Sequence, residues 1–375
     1  MAGIYLHIPY CKQACHYCDF HFSTVLNSRE DMVGSMLQEI EQRADELKGQ
    51  TVTTIYFGGG TPSILSTQHL DELLVKMRRS FTLAEAVEVT LEANPDDLNS
   101  TQLNDWKDIG INRLSIGLQS FHDSDLKWMN RAHNQAEALN AVWAARDAGF
   151  HNLTIDLIYG LPTWKGNEWE QNLLELGKLD VPHFSAYILT VEDKTALGAS
   201  VAKGKEKIVS DVRIEQQYEQ LTAFAKANGY NHYEVSNFSK PGHSSQHNSN
   251  YWNRVAYIGI GPGAHSFDGS KRAWNIANNP RYIKAIKDGS PFSEEENLSR
   301  FDQYNEYIMT RLRTASGIDL VGCKSLFGLR PDEVEPLLWK DLVKEGKLEM
   351  VNDRYRVTEK AWLVSDRIAS DLFAI

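Results

Sequence analysis

Short apolar runs alternate with amphipathic stretches along the first 230 residues of the chain. The runs predict six strands, at residues 4–8, 54–57, 87–91, 113–118, 153–158 and 184–189. The stretches between them repeat apolar residues at helical spacing and predict helices at residues 31–47, 67–79, 100–109, 135–148, 168–179 and 211–227. Nearly continuous apolar strands separated by helices are typical of βαβ units in a parallel sheet.

Polar groups stand at or near the ends of five of these strands. The first strand leads into a cysteine-rich loop, the second into the glycine-rich residues 58–62 and the third into residues 92–95. The fourth ends at Gln119, and the fifth contains Asp156. Since the carboxyl ends of parallel strands form the ligand face of α/β proteins, we expect these groups to converge on one barrel mouth. The pattern therefore favours an α/β fold with a partial (β/α)6 TIM-like barrel over an open doubly wound sheet.

The rest of the chain divides into two further parts. Loops containing Gly and Pro dominate residues 236–290. Beyond them the pattern predicts helices at 301–313 and 331–346 and a hairpin at 347–358 that turns at Asn352 and Asp353. This order is typical of a winged-helix-like α+β appendage. We expect three domains, a barrel at 1–235, a loop-rich extension at 236–290 and a C-terminal domain at 291–375.

Charge narrows the range of functions. The 375 residues carry a net charge of −11, and residues 300–375 are balanced, with 12 basic and 13 acidic side chains. Nucleic-acid binding needs a local excess of Lys and Arg, so we expect no nucleic-acid partner and a structural or lid role for the appendage. There is neither a charged leader followed by an apolar stretch nor an apolar run long enough for a transmembrane helix. We expect a cytoplasmic protein, and peripheral membrane contact stays open.

Three of the four cysteines lie within eight residues, as Cys11, Cys15 and Cys18 in a C-x₃-C-x₂-C spacing. The spacing alone fits two metal sites equally well, an iron–sulfur cluster or a Cys₃His zinc site completed by a nearby histidine, His7, His16 or His21. Three thiolates would leave one iron of a [4Fe–4S] cluster open to an exchangeable small molecule. The remaining cysteine, Cys323, is expected to be an ordinary buried or surface thiol.

The cysteine spacing after a first strand, followed by the glycine cluster at 58–62, resembles the radical S-adenosylmethionine (SAM) enzymes. The resemblance implies a [4Fe–4S] cluster on the three cysteines, SAM on the open iron and an electron donor for the cluster. In that family the cluster reduces the sulfonium of SAM and releases a 5′-deoxyadenosyl radical. The matching glycine segment binds the methionine amino group, which points here to Gly59, Gly60 and Thr61.

The chain resembles one subgroup in particular, the oxygen-independent coproporphyrinogen III oxidases and the HemW-type haem chaperones. The resemblance implies that SAM is contacted by residues in five further motifs, namely Tyr5, Glu92, Gln119, Arg131 and Asp156. Charge agrees with these roles, because Arg131 suits the carboxylate of SAM, Asp156 the ribose hydroxyls and Glu92 the cationic end. Tyr17, beside the third cysteine, can stack on adenine.

Each of these residues also has an ordinary structural interpretation. Glu92 and Arg131 could form a salt bridge, Asp156 could cap a helix, and Gln119 could satisfy buried backbone groups. Taken singly, each residue favours that interpretation. Together with the cysteine loop and the glycine cluster, in matching order along the chain, they favour the cofactor site.

Two departures separate the oxidases from the chaperones. The oxidases carry another cysteine two residues after the third cluster ligand, where this chain has Phe20, and they carry a long N-terminal extension, whereas ten residues precede Cys11 here. The segment His247-Asn-Ser-Asn-Tyr-Trp252 matches the HNxxYW haem-binding motif associated with HemW-type proteins. His247 is therefore the predicted haem ligand, with His232 and His243 as rivals.

The predicted function is that of a haem chaperone that binds haem and delivers it to haem proteins. The alternative is oxidative decarboxylation of coproporphyrinogen III, begun by the deoxyadenosyl radical. A radical-SAM enzyme acting on another substrate is a third, weaker hypothesis, because a fold does not determine a substrate. No residue is assigned a catalytic role, and whether the protein turns over any substrate is left open.

Overall fold

The computed structural model describes residues 1–374, and the six predicted strands form a parallel sheet within it. They lie side by side in chain order, and Tyr5 on the first strand is opposite Tyr56 on the second. The α/β barrel-like fold is confirmed. The strands are β1 (Ala2–Ile8), β2 (Val52–Gly59), β3 (Leu83–Ala93), β4 (Arg113–Gln119), β5 (Leu153–Tyr159) and β6 (His183–Ile188).

Several of the helices between residues 29 and 227 begin or end at residues suited to capping. Asn134 accepts from the backbone of Glu137 in a capping box, and Gly110, Gly149 and Gly229 follow helices with φ of 100°, 85° and 74°. The helices are α1 (Arg29–Gln42), α2 (Thr67–Ser80), α3 (Ser100–Asp108), α4 (Asp123–Trp128), α5 (Gln135–Asp147), α6 (Glu168–Leu179), α7 (Ala196–Ala202) and α8 (Asp211–Ala227).

The helix predicted at 31–47 ends early, at Gln42, and a separate 3₁₀ turn covers Ala44–Leu47. Arg43, between them, is turned inward to donate to the carboxylate of Glu39 and to the carbonyl of Gly259. This tertiary contact overrides the local helical pattern.

The segment at 236–290 is more regular than expected. Its strand Ala256–Ile260 (β9) is parallel to β1 and so extends the barrel sheet, and Asn237–Ser239 (β8) is antiparallel to β6. The pattern was hard to recognise because its strands have only three to five residues. The elements from β7 onward are β7 (Asn231–Glu234), β8 (Asn237–Ser239), α9 (Gln246–Trp252), β9 (Ala256–Ile260), β10 (His265–Phe267), β11 (Lys271–Asn275), α10 (Asn279–Asp288) and β12 (Ser293–Asn297).

The C-terminal part contains helices and a three-stranded antiparallel sheet, as the winged-helix-like prediction requires. Its strands lie side by side in the order Ile318–Asp319 (β13), Arg354–Val357 (β15) and Leu348–Val351 (β14). The predicted hairpin turns at Asn352 and Asp353, both of which have positive φ. The helix predicted at 331–346 is two helices, because Pro336 cannot continue the first one. The elements are α11 (Arg300–Leu312), β13 (Ile318–Asp319), α12 (Leu320–Phe327), α13 (Pro331–Val334), α14 (Pro336–Lys344), β14 (Leu348–Val351), β15 (Arg354–Val357) and α15 (Ser365–Asp371).

Helix α11 and the loop after it connect the two ends of the large sheet. The Val235 N–H donates to the Arg313 carbonyl beside β7, and Glu306 on α11 pairs with both Arg254 and Arg272, beside β9 and on β11. Buried apolar side chains form one cluster that continues from the barrel into the C-terminal part. The boundaries of the three predicted domains stay a prediction. Among residues 1–374, no helix combines the length and apolarity that crossing a membrane requires.

Candidate functional site at the barrel mouth

The cysteine loop is held at the barrel mouth by contacts at its start and near its end. At its start, the Cys11 N–H donates to the carbonyl of Ser23, and Lys12 pairs with Asp97 just beyond β3. Near its end, the His16 N–H donates to the carbonyl of Met129. These contacts come from within the loop, from the segment after β3 and from the end of α4, so the polypeptide itself holds the loop in place.

The three thiols of this loop are half-buried, and Cys15 and Cys18 line a cavity of about 520 Å³ with Phe20, Asn130 and Lys194. Burial raises the pKa of Cys11 and raises the pKa of Cys18 to about 11. These thiols are therefore protonated at neutral pH until a cation replaces the proton, which is how soft metal sites load.

Two hydrogen-bond donors contact the sulfur atoms. Thr61 Oγ1 lies 3.5 Å from Cys11 Sγ, and Arg131 Nη1 lies 3.5 Å from Cys15 Sγ. Hydrogen-bond donors next to cysteine sulfur commonly adjust the reduction potential of iron–sulfur clusters. The chemistry of this donor set therefore fits a [4Fe–4S] cluster.

The histidines of the zinc alternative use ring nitrogens elsewhere. His7 Nε2 bonds the His21 carbonyl at 2.8 Å, His16 Nδ1 bonds the Trp128 carbonyl at 2.7 Å, and His21 Nε2 bonds Asn279 at 2.8 Å. Within residues 1–374, no three or more His, Cys, Asp or Glu side chains are grouped as the ligands of one metal ion. A histidine ligand binds metal through one ring nitrogen and commonly donates the other N–H to a carbonyl, so these bonds do not distinguish a Cys₃His site from an iron–sulfur cluster.

The glycine segment lies against β1 so closely that side chains are excluded. Gly59 has φ of 104°, and a Cβ on Gly60 would lie 2.5 Å from the carbonyl oxygen of Tyr10. The N–H groups of Gly60 and Thr61 already donate to the carbonyls of Ile8 and Tyr10. An amino group needs acceptors, so the carbonyl oxygens of this segment are the backbone groups that suit one.

The predicted acidic residues are placed in the barrel interior below this segment. Glu92 Oε1 accepts from the Tyr56 hydroxyl at 2.7 Å, and Asp156 accepts from Ser115 at 3.1 Å. Burial, together with the nearby charge of Asp156, raises the pKa of Glu92 to about 7, and burial also raises the pKa of Asp156. Two carboxyl groups with raised pKa values in one interior form a site that attracts a cation.

Arg131 is placed next to the cysteines and away from Glu92. Its Nη2 donates to Asn94 Oδ1 at 2.7 Å and to the Gly117 carbonyl at 2.8 Å, so the salt-bridge alternative with Glu92 is wrong. Its Nε is buried and has no partner. A buried guanidinium donor without a partner fits the carboxylate of a small ligand.

Three more of the predicted SAM residues lie around this guanidinium and the interior. Gln119 has φ of 71°, a left-handed conformation that side chains rarely adopt, and a Cβ on Gly117 would lie 2.9 Å from its amide nitrogen. Tyr17 lies beside Arg131, and burial raises its pKa. Tyr5 stacks on Tyr56 with 6.1 Å between ring centroids. The fold therefore brings the predicted SAM residues together around one mouth.

The predicted haem ligand is placed differently. His247, on α9, is 2% exposed, and its ring packs on that of Tyr56 with 4.9 Å between centroids. Its Nδ1 bonds Thr54 Oγ1 at 2.8 Å and its Nε2 bonds the Tyr251 hydroxyl at 3.0 Å. Burial lowers its pKa to about 3, so the imidazole is neutral, as a metal ligand must be. Both nitrogens are nevertheless occupied.

The rival histidines lie outside the barrel interior. His232 is stacked between Phe238 and Trp362, with 4.2 Å between centroids on either side. His243 is half-buried on the loop that leads into α9. Since neither contacts His247, the three histidines are alternatives and do not form one ligand set.

Comparison with known proteins places this geometry in a family. Residues 5–176 match the model of the radical SAM superfamily, and residues 298–364 match that of the HemN C-terminal domain. The haem chaperone HemW of Bacillus subtilis (strain 168) is 32% identical over 371 residues, which cover 98% of both chains. HemW of Escherichia coli (strain K12) is 33% identical over 95% of this chain and 94% of its own. The chain belongs to the HemW family.

A solved structure shows the fold of this HemW-family chain independently. Coproporphyrinogen III oxidase (HemN) from Escherichia coli superposes with a TM-score of 0.86, over 100% of this chain and 90% of its own, at 22% identity. At that identity the likeness shows a shared fold alone. The predicted resemblance to the radical-SAM superfamily and its HemW-type members is confirmed.

In this HemW-family structure, sequence reasoning missed residues that support the predicted ones. Tyr56 joins Glu92 to His247, Asn94 joins Thr61 to Arg131, and Lys12 ties the loop to Asp97. A signal was available for two of them. Tyr56 lies two residues before Gly58 on β2, and alternate residues of a strand face the same side, so Tyr56 is expected to face the barrel interior. Asn94 lies within the motif that contains Glu92.

Proposed function

We propose that this protein is a haem chaperone, which binds haem and delivers it to acceptor haem proteins, and that it carries a [4Fe–4S] cluster and SAM. The observation that supports this function is the relationship to HemW proteins over almost the full length of both chains. Phe20 supports it further. It occupies the position where the oxidases have an additional cysteine, and its side chain is 66% exposed beside the cavity.

Cys11, Cys15 and Cys18 would hold three irons of the cluster and leave the fourth for SAM. When bound, the cluster supplies single electrons from an external donor. The chain contributes Thr61 and Arg131 as donors to two of the sulfurs, and this support comes from residues already in place.

SAM would be held by groups of opposite charge on two sides of the mouth. Arg131, with its unpartnered Nε, suits the carboxylate, and Glu92 suits the cationic end. Asp156 suits the ribose hydroxyls and Tyr17 suits the adenine. Gln119 would line the same mouth.

Haem would be bound through His247, and this assignment has a structural requirement. An axial ligand needs a free lone pair on one ring nitrogen, and both nitrogens of His247 are bonded inside the barrel. Ligation therefore requires either that α9 shifts away from Thr54 on β2, which frees Nδ1, or that the Tyr251 side chain, which lies on the same helix, rotates away and frees Nε2. His243, on the adjoining loop, is the alternative ligand that needs no such shift.

The test is a haem titration by absorbance, on protein reconstituted with iron and sulfide under anaerobic conditions. We expect a haem spectrum that is lost in His247→Ala and kept in His243→Ala. The reverse pattern would assign haem to His243. Absence of a haem spectrum in the unaltered protein would contradict the chaperone function, as would catalytic conversion of coproporphyrinogen III. Zinc without sulfide in the purified protein would contradict the cluster.

The remaining expectations concern the cell. We expect the protein to act in the cytoplasm, to receive electrons for the cluster from a donor and to hand haem to a haem-accepting protein. We expect no role in binding nucleic acids. Fractionation of cells and co-purification with haem proteins are the measurements that test this placement.

A further inference from the structure

Asn94 lies just after β3 at the barrel mouth, and its amide connects the two donors that contact cysteine sulfur. Its Nδ2 donates to Thr61 Oγ1 at 3.3 Å, and its Oδ1 accepts from Arg131 Nη2 at 2.7 Å. Thr61 in turn contacts Cys11 Sγ, and Arg131 contacts Cys15 Sγ. One half-buried side chain thus lies at the centre of a hydrogen-bonded path between two thiols.

We propose that Asn94 is a positioning residue, which holds Thr61 and Arg131 against the sulfurs of Cys11 and Cys15 and thereby sets the reduction potential of the cluster and its affinity for SAM. This rests on the proposed cluster and SAM site. Asn94 itself touches neither sulfur, so its effect passes through the two donors.

The chemistry of an amide suits this task. An amide donates and accepts at once without charge, whereas a carboxylate could accept from Arg131 but could not donate to Thr61. A carboxylate would also neutralise the guanidinium that the ligand carboxylate needs. The space around Arg131 is limited too, because a Cβ on Gly117 would lie 3.2 Å from its Nη2. Arg131 is therefore held between the Gly117 carbonyl and Asn94.

Loss of the amide removes the restraint on both donors. Hydrogen bonds and positive charge next to cluster sulfur stabilise the reduced, more negative cluster, so weakening them lowers the reduction potential. A mobile Arg131 also binds a carboxylate less well. Loss of an outer-shell partner typically costs roughly 10-fold or more in affinity or activity.

The experiment compares Asn94→Ala and Asn94→Leu with Asn99→Ala in cluster-loaded protein. Asn99 lies five residues along and caps α3 by accepting from Gln102, so its loss also removes a side-chain hydrogen bond but touches neither donor. The measurements are the cluster midpoint potential, the dissociation constant for SAM, the change in the electron paramagnetic resonance spectrum on adding SAM, and thermal unfolding of the cluster-free proteins.

We expect both Asn94 variants to show a lower cluster midpoint potential and about 10-fold weaker SAM binding. Their thermal unfolding temperatures should be no lower than that of Asn99→Ala. Wild-type potential and SAM affinity in either folded Asn94 variant would overturn the proposal. Leu keeps the side-chain volume, so it remains informative where Ala unfolds. An unaltered protein that takes up no cluster would instead contradict the proposed function.

Discussion

The cysteine loop and helix α9 both carry ligand motifs, but the fold treats them in opposite ways. The thiols are half-buried next to a cavity of about 520 Å³, and two of them have only long contacts of 3.5 Å to donors. His247 is 2% exposed and has both ring nitrogens bonded within 3.0 Å. Two of the thiols therefore face open space, whereas the hydrogen-bonding groups of the His247 ring are already paired within the fold.

The difference has a physical basis. Thiols are weak hydrogen-bonding groups, so a half-buried cysteine loses little by lacking a strong partner and gains much from a metal. An imidazole buried without partners would cost about 1–3 kcal/mol per unsatisfied group, so the fold supplies Thr54 and Tyr251. A buried ligand histidine therefore needs an opening step that the cysteines do not.

The largest expected effect concerns the cysteine loop, the more open of the two sites. Replacing Cys11, Cys15 or Cys18 singly with Ala leaves two thiols, and we expect loss of the cluster absorbance and of the bound iron and sulfide. Cys323→Ala is the matched control, because this thiol is fully buried on α12. A cluster that survives any of the three loop substitutions would break the assignment of an open site.

A smaller effect is expected at the buried site around His247 on α9. Tyr251→Phe keeps the ring that packs edge-on against His247 but removes the hydroxyl from Nε2. One hydrogen bond contributes about 0.5–1.5 kcal/mol, so we expect haem affinity to rise by roughly 2- to 10-fold in an absorbance titration. Tyr230→Phe is the control, because it also removes one buried hydroxyl hydrogen bond, to the Val181 carbonyl, but does not involve His247. Unchanged affinity in Tyr251→Phe would show that Nε2 is not the nitrogen that must be released.

The stability of the protein should also respond to pH through Glu234 on β7. Burial raises the pKa of Glu234 to about 7 from 4.5, although hydrogen bonds from Asn237 and the Ser236 N–H, and the charge of Arg313, oppose the shift. The folded protein therefore binds a proton that the unfolded chain releases between pH 4.5 and 7, so the free energy of unfolding falls as pH rises through this window. We expect Glu234→Gln to stabilise the protein at pH 8 by at most about 3 kcal/mol, and not at pH 4.5.

Denaturant titrations of both proteins at the two pH values measure this effect. Glu92, whose pKa is also about 7, contributes a slope of the same sign, so the variant should retain part of the pH dependence. An identical pH dependence in Glu234→Gln and the unaltered protein would show that this carboxyl group does not contribute to the pH dependence of stability.

Much of the fold was predictable because its signals are local. The six parallel strands are apolar runs, and the hairpin at Asn352 and Asp353 follows from turn chemistry at two adjacent residues. The regular structure within 236–290 was not predictable, because strands of three to five residues carry too little periodicity. The early end of α1 depends on Arg43 meeting Gly259, more than 200 residues away.

The sequence by itself determined the kind of chemistry at the two sites. Cysteine spacing, the glycine cluster and the acidic and basic residues of the strand ends are local patterns, and they predicted the members of the mouth. Only the tertiary structure decided which of these side chains are buried and which contacts they make. His247 is enclosed by Thr54 and Glu88, which lie 193 and 159 residues before it, and Asn94 acquires its position by meeting Thr61 and Arg131. Residue type is encoded locally, whereas burial depends on contacts between distant segments that form only when the chain folds.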